Sequence, residues 1–313
     1  MEEAEQKMRE SLGNDLGQNV SLKEFSSIGV GGVADYFYVA KKIDDLIKAV
    51  NTAYSVKIPY IVIGGGYNII PSDSGFPGLV VKNECSSVAF SDENSQVIVD
   101  SGLALAKLIN IAAGKELGGL EFLFGIPGTV GGAVYGNAGA FSYEIGDFVK
   151  SVILLVPKDG QMSIDKKNPD WMEFSYRSSK LKKQFCNEKF KPVILTVKLQ
   201  LVKRRRDEIL GMMQDNLAKK RESQPLEEKS AGSFFKNIDS APEHAAGYLL
   251  DKAGAKKMRI GGAAFSKKHA NFLINHKRAC ASDVRKLADK ARELVRKKYD
   301  LELEEEVEYI GKW

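Results

Sequence analysis

Pro59-Tyr60-Ile61-Val62-Ile63-Gly64-Gly65-Gly66-Tyr67-Asn68 is the stretch on which the fold is decided. Tyr60 to Ile63 are aromatic or β-branched without a polar break, as in a buried strand, and they run directly into the glycines. Just upstream, Ile43, Leu46, Ile47 and Val50 recur at helical spacing. Helix, strand and glycine turn in that order start an α/β unit. Gly64, Gly65 and Gly66 carry no Cβ, so their backbone N–H groups are free to converge on phosphate oxygens without a helix dipole, and Pro71 prevents a long helix from following. Read alone, the turn through Tyr67 and Asn68 serves equally well as a structural bend.

The same texture extends outward. Leu79-Val80-Val81, Val97-Ile98-Val99, Val152-Ile153-Leu154-Leu155-Val156 and Val193-Ile194-Leu195-Thr196-Val197 read as strands, and Leu103 to Lys115 fits a helix. A second glycine-rich run, Gly125-Ile126-Pro127-Gly128-Thr129-Val130-Gly131-Gly132-Ala133 and then Gly136-Asn137-Ala138-Gly139, is too apolar for a flexible linker. So many glycines cost unfolded-state entropy unless something approaches the backbone closely. Gly29-Val30-Gly31-Gly32-Val33-Ala34 matches the loose pattern GxGxx[GA], but the strand-forming Asp35-Tyr36-Phe37-Tyr38-Val39-Ala40 follows it, so a bend entering a strand is expected rather than a dinucleotide turn.

Composition shifts after Leu201, where a charged helical stretch from Asp207 to Glu222 leads to Gln224-Pro225, and a boundary is placed near residue 202. The last helix is expected to have Ser282 as N-cap, Asp283 in its first turn, Val284, Leu287, Ala288, Ala291, Leu294 and Val295 on one face, and Arg296-Lys297-Lys298 at its end. Its apolar stripe is expected to cover a small sheet that includes Phe272-Leu273-Ile274 and the strand ending Val307-Glu308-Tyr309-Ile310.

The 313 residues, 43% hydrophobic and 28% charged, have an ordinary globular balance with room for two domains. No run approaches the roughly 18 apolar residues of a membrane span, and Met1-Glu2-Glu3-Ala4-Glu5-Gln6-Lys7 lacks the features of a secretory signal, so a cytoplasmic protein without membrane partners is expected. The net charge of +5 does not argue for nucleic acid. Cys85, Cys186 and Cys280 form no CxxC pair, and no histidine pair has metal-ligand spacing, so neither a disulfide framework nor a metal is expected.

Chemistry concentrates elsewhere. Ser230-Ala231-Gly232-Ser233-Phe234-Phe235-Lys236-Asn237 sets a hydroxyl, a cation and an amide on a small-residue turn beside two aromatics, which suits an anionic substrate with a proton donor next to it. Tyr176-Arg177 follows Trp171-Met172-Glu173-Phe174, where an arginine is able to be desolvated and aimed at a carboxylate; in isolation it reads more simply as a surface arginine beside a core tyrosine. Glu304-Glu305-Glu306 by itself is a solvated acidic run, and His269 in His269-Ala270-Asn271-Phe272 suits hydrogen bonding to a neighbouring loop better than catalysis.

In this order these motifs resemble the UDP-N-acetylenolpyruvoylglucosamine reductase family, from about Phe25 to Gly311. The resemblance is carried by Ile63 to Asn68, Gly119-Leu120-Glu121-Phe122 with Gly125 to Ala133, Asn137-Ala138-Gly139-Ala140, Tyr176-Arg177-Ser178-Ser179, Ser230 to Asn237, Gly261-Gly262-Ala263 before Ser266, His269 to Phe272 and Leu303-Glu304-Glu305-Glu306-Val307. It implies an α+β fold: an N-terminal extension over residues 1–22, an FAD-binding domain of the vanillyl-alcohol-oxidase type over 23–202 in two subdomains split near 85, and a substrate-binding domain over 203–313. It implies non-covalent FAD, NADPH as reductant, a UDP-sugar substrate and a monomer. Flavin contacts then fall on Gly64, Gly65, Gly66, Tyr67, Asn68, Gly125, Pro127, Gly128, Thr129, Gly131, Gly132, Ala133, Asn137 and Gly139. Ser233 matches the proton donor, Arg177 and Glu306 the pair beside the enolpyruvyl carboxylate, and Tyr176, Gln224, Lys236, Asn237, His269 and Asn271 the substrate contacts. Another FAD oxidoreductase of the same superfamily, acting on a sugar or hydroxy acid, would share the flavin domain but has no reason to keep the Ser233 turn and the Glu306 strand.

The chain departs from the family pattern in two places. The short interval from Arg177 to Val193 leaves little room for the substrate-covering tyrosine loop of one branch, so this chain resembles the shorter branch. Glu308 stands where many members have arginine.

Overall fold

The computed structural model describes residues 2–91, 93–186 and 188–313, which gather into two compact units. The first comprises residues up to Gln18, Tyr36–Gly65 and Gly78–Ala218. Its helix Ile43–Ser55 buries Leu46 and Val50 from the stripe read in the sequence together with Ala49 and Ala53, while Ile43 and Ile47 are only partly buried against the same core. Strand Tyr60–Ile63 pairs in parallel with Phe76–Asn83, Tyr60 opposite Leu79 and Ile63 opposite Lys82. Both belong to a sheet ordered Gly17–Ser21, Val33–Ala40, Phe76–Asn83, Tyr60–Ile63. An antiparallel sheet runs Gln161–Lys167, Val149–Lys158, Val193–Gln200, Gln96–Asp100, Val88–Ser91.

Two apolar cores result. One joins Leu46, Val50, Tyr60, Leu79 and Val81 to Leu155, Val193 and Leu195; the other joins Val97, Val99, Leu105 and Leu108 to Val130, Val134, Val152 and Val197. Alternation explains how one strand serves both, because Leu154 and Leu155 face opposite sides of the sheet and enter different cores. Helix Glu2–Leu12 buries Met8 and Leu12 in the first of these cores, and Leu16 follows them in.

The second unit comprises Asn19–Asp35, Gly66–Pro77 and Lys219–Trp313. These units are discontinuous in sequence, and backbone pairing supplies the reason. Strand Glu308–Ile310 runs parallel to Ile69–Pro71, and Gly32 N–H donates to the Ser72 carbonyl at 2.8 Å. Backbone pairing also corrects the expected sheet. Leu273–Asn275 pairs with Ala263–Phe265 and, beyond it, Arg259–Ile260, whereas Glu308–Ile310 pairs with Ile69–Pro71 instead.

Helix Ala281–Tyr299 buries Val284, Leu287, Ala288, Ala291 and Val295, as its periodicity implies, while Leu294 is only partly buried, and its N-cap is Cys280 and not Ser282. The Asp73 carboxylate accepts from Ala281 N–H at 2.7 Å, Ser282 N–H at 2.9 Å and Ser282 Oγ–H at 2.7 Å. Ser282 thus lies inside the first turn, and the helix is capped by a residue far away in sequence. Burial works to raise the Asp73 carboxyl, but hydrogen bonds from Ser282 and Ala281 outweigh it and hold Asp73 below the usual carboxylate range. Asp73→Ala is therefore expected to cost about 1 kcal/mol at neutral pH, as lost N-terminal caps do. With the folded value depressed, that contribution is present above the unfolded value of about 3.9 and is lost as pH falls through the folded one. Thermal unfolding of parent and variant at neutral pH and near pH 3 is expected to show the gap narrowing in acid.

Candidate active site

In the first unit the two glycine stretches meet. A Cβ at Gly64 would lie 2.3 Å from Thr129 Oγ1, so no side chain fits. Thr129 in turn caps helix Val130–Tyr135, accepting from Gly132 N–H at 3.3 Å. Gly131 is pressed on Ser101, whose carbonyl accepts its N–H at 2.7 Å. Part of the glycine content thus reflects the protein approaching its own backbone. Gly128 differs, because its φ is 130° and nothing lies within 4 Å of where a Cβ would be. With Pro127 and Gly132 also exposed, this turn presents open backbone, while Ala133 is buried behind it. Lys82 Nζ donates to the Gly64 carbonyl, and burial lowers its pKa. Nothing in Val80-Val81-Lys82 marks this cation in the sequence; the parallel pairing alone brings it to the turn.

Asn137 is 0% exposed. Its Nδ2 donates to Glu144 Oε2 and, at 3.0 Å, to the Ser175 carbonyl, while its Oδ1 accepts from Gly146 N–H at 3.0 Å. The side chain thereby grips the loop that carries Tyr176-Arg177. That loop closes through reciprocal Ser175 and Ser178 backbone bonds of 3.0 and 2.9 Å, with Arg177 at φ 53°. The left-handed region costs a non-glycine residue roughly 1–2 kcal/mol, a strain that the surrounding bonds hold in place. The guanidinium lies over the exposed Tyr176 ring, 5.6 Å from its centroid. Arg177 Nη1 is 3.4 Å from the Cβ position of Gly139, which leaves room for it.

In the second unit the Ser233 and Glu306 segments are paired. Glu306 N–H donates to the Phe234 carbonyl at 2.8 Å and Lys236 N–H to the Glu304 carbonyl at 2.8 Å, with Phe235 bridged to Glu305. Ser233 is therefore one residue from a direct backbone bond to Glu306. Asn271, 3% exposed, supports the other side: its Oδ1 accepts from Phe235 N–H at 2.9 Å and its Nδ2 donates to the Phe235 carbonyl at 2.8 Å. Both polar ends of its amide are thus engaged with the Phe235 backbone. His269 Nδ1 accepts from Asn271 N–H at 3.1 Å, which leaves the ring proton on Nε2 in the neutral form, and burial, helped by Lys256, lowers its pKa. Asn237 Oδ1 accepts from Ala246 N–H at 3.0 Å, and Lys236 forms an ion pair with Glu304.

A cavity of about 380 Å³ brings Ser233, Asn237, His269 and Asn271 together and adds Tyr248 and Lys256, which no motif had singled out. Gln224 and Lys236 do not line it; Gln224 lies just past helix Arg206–Ser223, its N–H donating to the Lys220 carbonyl at 2.8 Å. In the acidic run, Glu305 is largely buried and accepts from Tyr309 Oη at 2.9 Å, and burial raises its pKa, so the run is not simply solvated.

The family model of the FAD binding domain matches residues 34–163, and that of the UDP-N-acetylenolpyruvoylglucosamine reductase C-terminal domain matches residues 224–310. The reductase of that name from Anoxybacillus flavithermus is 36% identical over 312 residues, covering 100% of both chains. The chain belongs to the UDP-N-acetylenolpyruvoylglucosamine reductase family. The Bacillus subtilis reductase is likewise 36% identical, with 99% of each chain covered. The crystal structure of the UDP-N-acetylenolpyruvylglucosamine reductase from Thermus caldophilus superimposes with a TM-score of 0.75 at 32% identity, over 93% of this chain and 98% of that one. Ser233, Glu306 and the cavity residues all fall within the segment matched to the reductase family's C-terminal domain.

Proposed function

We infer that the chain is the FAD-dependent enzyme that reduces UDP-N-acetylglucosamine enolpyruvate to UDP-N-acetylmuramate with NADPH, in cytoplasmic peptidoglycan precursor synthesis. The observation that carries this is the full-length match to reductases of that name, and in this chain the Ser233 turn and the Glu306 strand are hydrogen-bonded neighbours. The competing superfamily oxidase explains the flavin domain but not that pairing.

The residues present fit FAD. The open backbone at Gly128 and the exposed Gly132, next to Thr129 and Gly64, leave a face without side chains for a pyrophosphate, and Lys82 under the turn adds positive charge. Gly64, Gly65, Gly128, Thr129 and Gly132 would hold the cofactor there. When bound and reduced by NADPH, FAD supplies the hydride that adds to the terminal carbon of the enol ether.

The chain's own side chains manage the charge and the proton. As the double bond accepts the electron pair, negative charge grows on the substrate carboxylate. Arg177, held by its closed loop, and Glu306, held by the Phe234 bond and acting as a carboxyl that donates a hydrogen bond, would stabilise it. Ser233 Oγ then gives its proton to the adjacent carbon and regains one from solvent. A serine is a weak acid, so it has to be held about 3–3.5 Å from that carbon, where the basicity of the enolate makes the transfer favourable. Lys256, Asn237 and His269 Nε2–H offer donors in the same cavity for the anionic nucleotide end.

The test is the absorption spectrum of the purified protein. It is expected to show bound flavin that bleaches with NADPH and recolours with the enolpyruvyl sugar nucleotide. Acid precipitation is expected to release the chromophore, because no histidine or cysteine lies in either glycine stretch to bond it. Protein that takes up no FAD, or flavin that recolours with a simple sugar or hydroxy acid but not with the enolpyruvyl nucleotide, would overturn the assignment.

A further inference from the structure

Asn68 closes the first glycine turn and was expected among the flavin contacts. Its described bonds lead elsewhere. The Asn68 side-chain amide donates from Nδ2 to the backbone carbonyl of Glu306 at 3.1 Å, and the Asn68 carbonyl accepts from Glu308 N–H at 2.9 Å. From that point Ile69–Pro71 and Glu308–Ile310 run side by side in parallel register, starting with Ile69 opposite Glu308. Glu306 itself lies two residues before Glu308, the first residue of the paired strand. The Asn68 amide extends the ladder backward to Glu306, while Glu306 N–H is taken by Phe234.

The turn behind Asn68 is itself rigidly set. Gly66 has φ 73°, and a Cβ there would lie 2.0 Å from the Phe25 carbonyl oxygen; the Gly66 carbonyl accepts from Ser27 N–H at 2.9 Å. Ser27 Oγ reaches the Ser230 carbonyl at 2.6 Å, at the start of the segment that carries Ser233. One hydrogen-bonded frame within the second unit therefore runs from the glycine turn to both Ser233 and Glu306, and Asn68 is its direct link to Glu306.

We propose that Asn68 is a positioning residue that fixes the backbone of Glu306, and through it the direction of the Glu306 carboxyl, for the step that consumes the enolpyruvyl substrate. This rests on the function inferred above. Its chemical core is a single donated N–H: an amide at position 68 holds the Glu306 carbonyl, whereas a carboxylate of the same shape repels it.

The experiment compares holoenzymes of parent, Asn68→Ala, Asn68→Asp and Glu306→Gln, alone and combined, by stopped-flow in each half-reaction. With FAD in excess, both Asn68 variants are expected to be reduced by NADPH within a few-fold of the parent. Reoxidation by the enolpyruvyl sugar nucleotide is expected to slow roughly 10- to 100-fold, the scale set by sub-ångström to 1 Å misplacement of a reacting group. The isosteric Asp variant is expected to be as slow as Ala at neutral pH. In the Glu306→Gln background, where the carboxyl is already gone, Asn68→Ala is expected to add much less, because residues acting through one another are not additive. Reoxidation at the parent rate in Asn68→Asp, full additivity with Glu306→Gln, or a defect confined to FAD retention would overturn the proposal. If the parent's own reduced flavin is not reoxidised by the substrate, the inferred function fails and the proposal fails with it, an outcome separable from normal parent kinetics with indifferent variants.

Discussion

Replacing Ser233 with Ala is expected to leave reduction of the flavin by NADPH near the parent rate while turnover falls on the order of 10²–10⁴-fold, the usual contribution of a positioned proton donor. The two half-reactions separate because only the second ends with a proton on carbon. The fold is expected to tolerate the change: Ser233 is only partly buried, while the flanking Phe234 and Phe235 carry the packing and their backbone is held by Asn271 and Glu306. A loss of turnover would then be chemical and not structural, which circular dichroism and flavin content are expected to verify. Ser233→Cys is expected to retain more activity than Ala, since a thiol also donates a proton. An Ala variant within a few-fold of the parent would make Ser233 merely a member of its turn.

Periodicity and turn chemistry made most elements legible. Ile43–Ser55, Tyr60–Ile63, Leu105–Gly114 and Val193–Gln200 all fall where apolar spacing put them. The misses share a cause. Which strand pairs with Glu308–Ile310, which carboxylate caps Ala281–Tyr299 and how the chain divides into units depend on partners more than 200 residues away in sequence, 238 between Asn68 and Glu306 for example. Local pattern carries no trace of them. The candidate site divides similarly. Motif resemblance singles out Ser233, Arg177 and Glu306 because the chemistry proposed for them is in the side chain. Asn68, Asn137 and Asn271 stand in the same motifs, and their described amide bonds go to the Glu306 carbonyl, to Glu144, Gly146 and Ser175, and to the Phe235 backbone. An asparagine in a motif does not say whether its amide faces a ligand or a carbonyl. Lys82 and Lys256 were missed because a single lysine in an ordinary strand or loop has no signature until the fold brings it to a turn or a cavity.

The carboxylate pair gives the second large effect. Arg177→Ala and Glu306→Gln are each expected to slow reoxidation of the reduced flavin by the enolpyruvyl substrate by about 10²–10³-fold, the scale of one preorganised donor lost or, for the amide, replaced by a weaker one, and to leave reduction by NADPH much less affected. The asymmetry follows from when charge appears. No enolate exists while NADPH is the reductant, so a donor aimed at the substrate carboxylate has nothing to stabilise in that half-reaction. Backbone geometry sharpens the expectation for Arg177, which the protein keeps at φ 53° in a loop held by Asn137. Arg177→Gly would relieve that strain, so an Arg177→Gly protein is expected to be at least as stable as Arg177→Ala and equally slow in reoxidation. Arg177→Lys, which keeps the charge but not the planar fork, is expected to recover only part of the rate. If both half-reactions slowed equally in all of these variants, the defect would lie in flavin binding or folding, and neither Arg177 nor Glu306 would stand beside the reacting carboxylate.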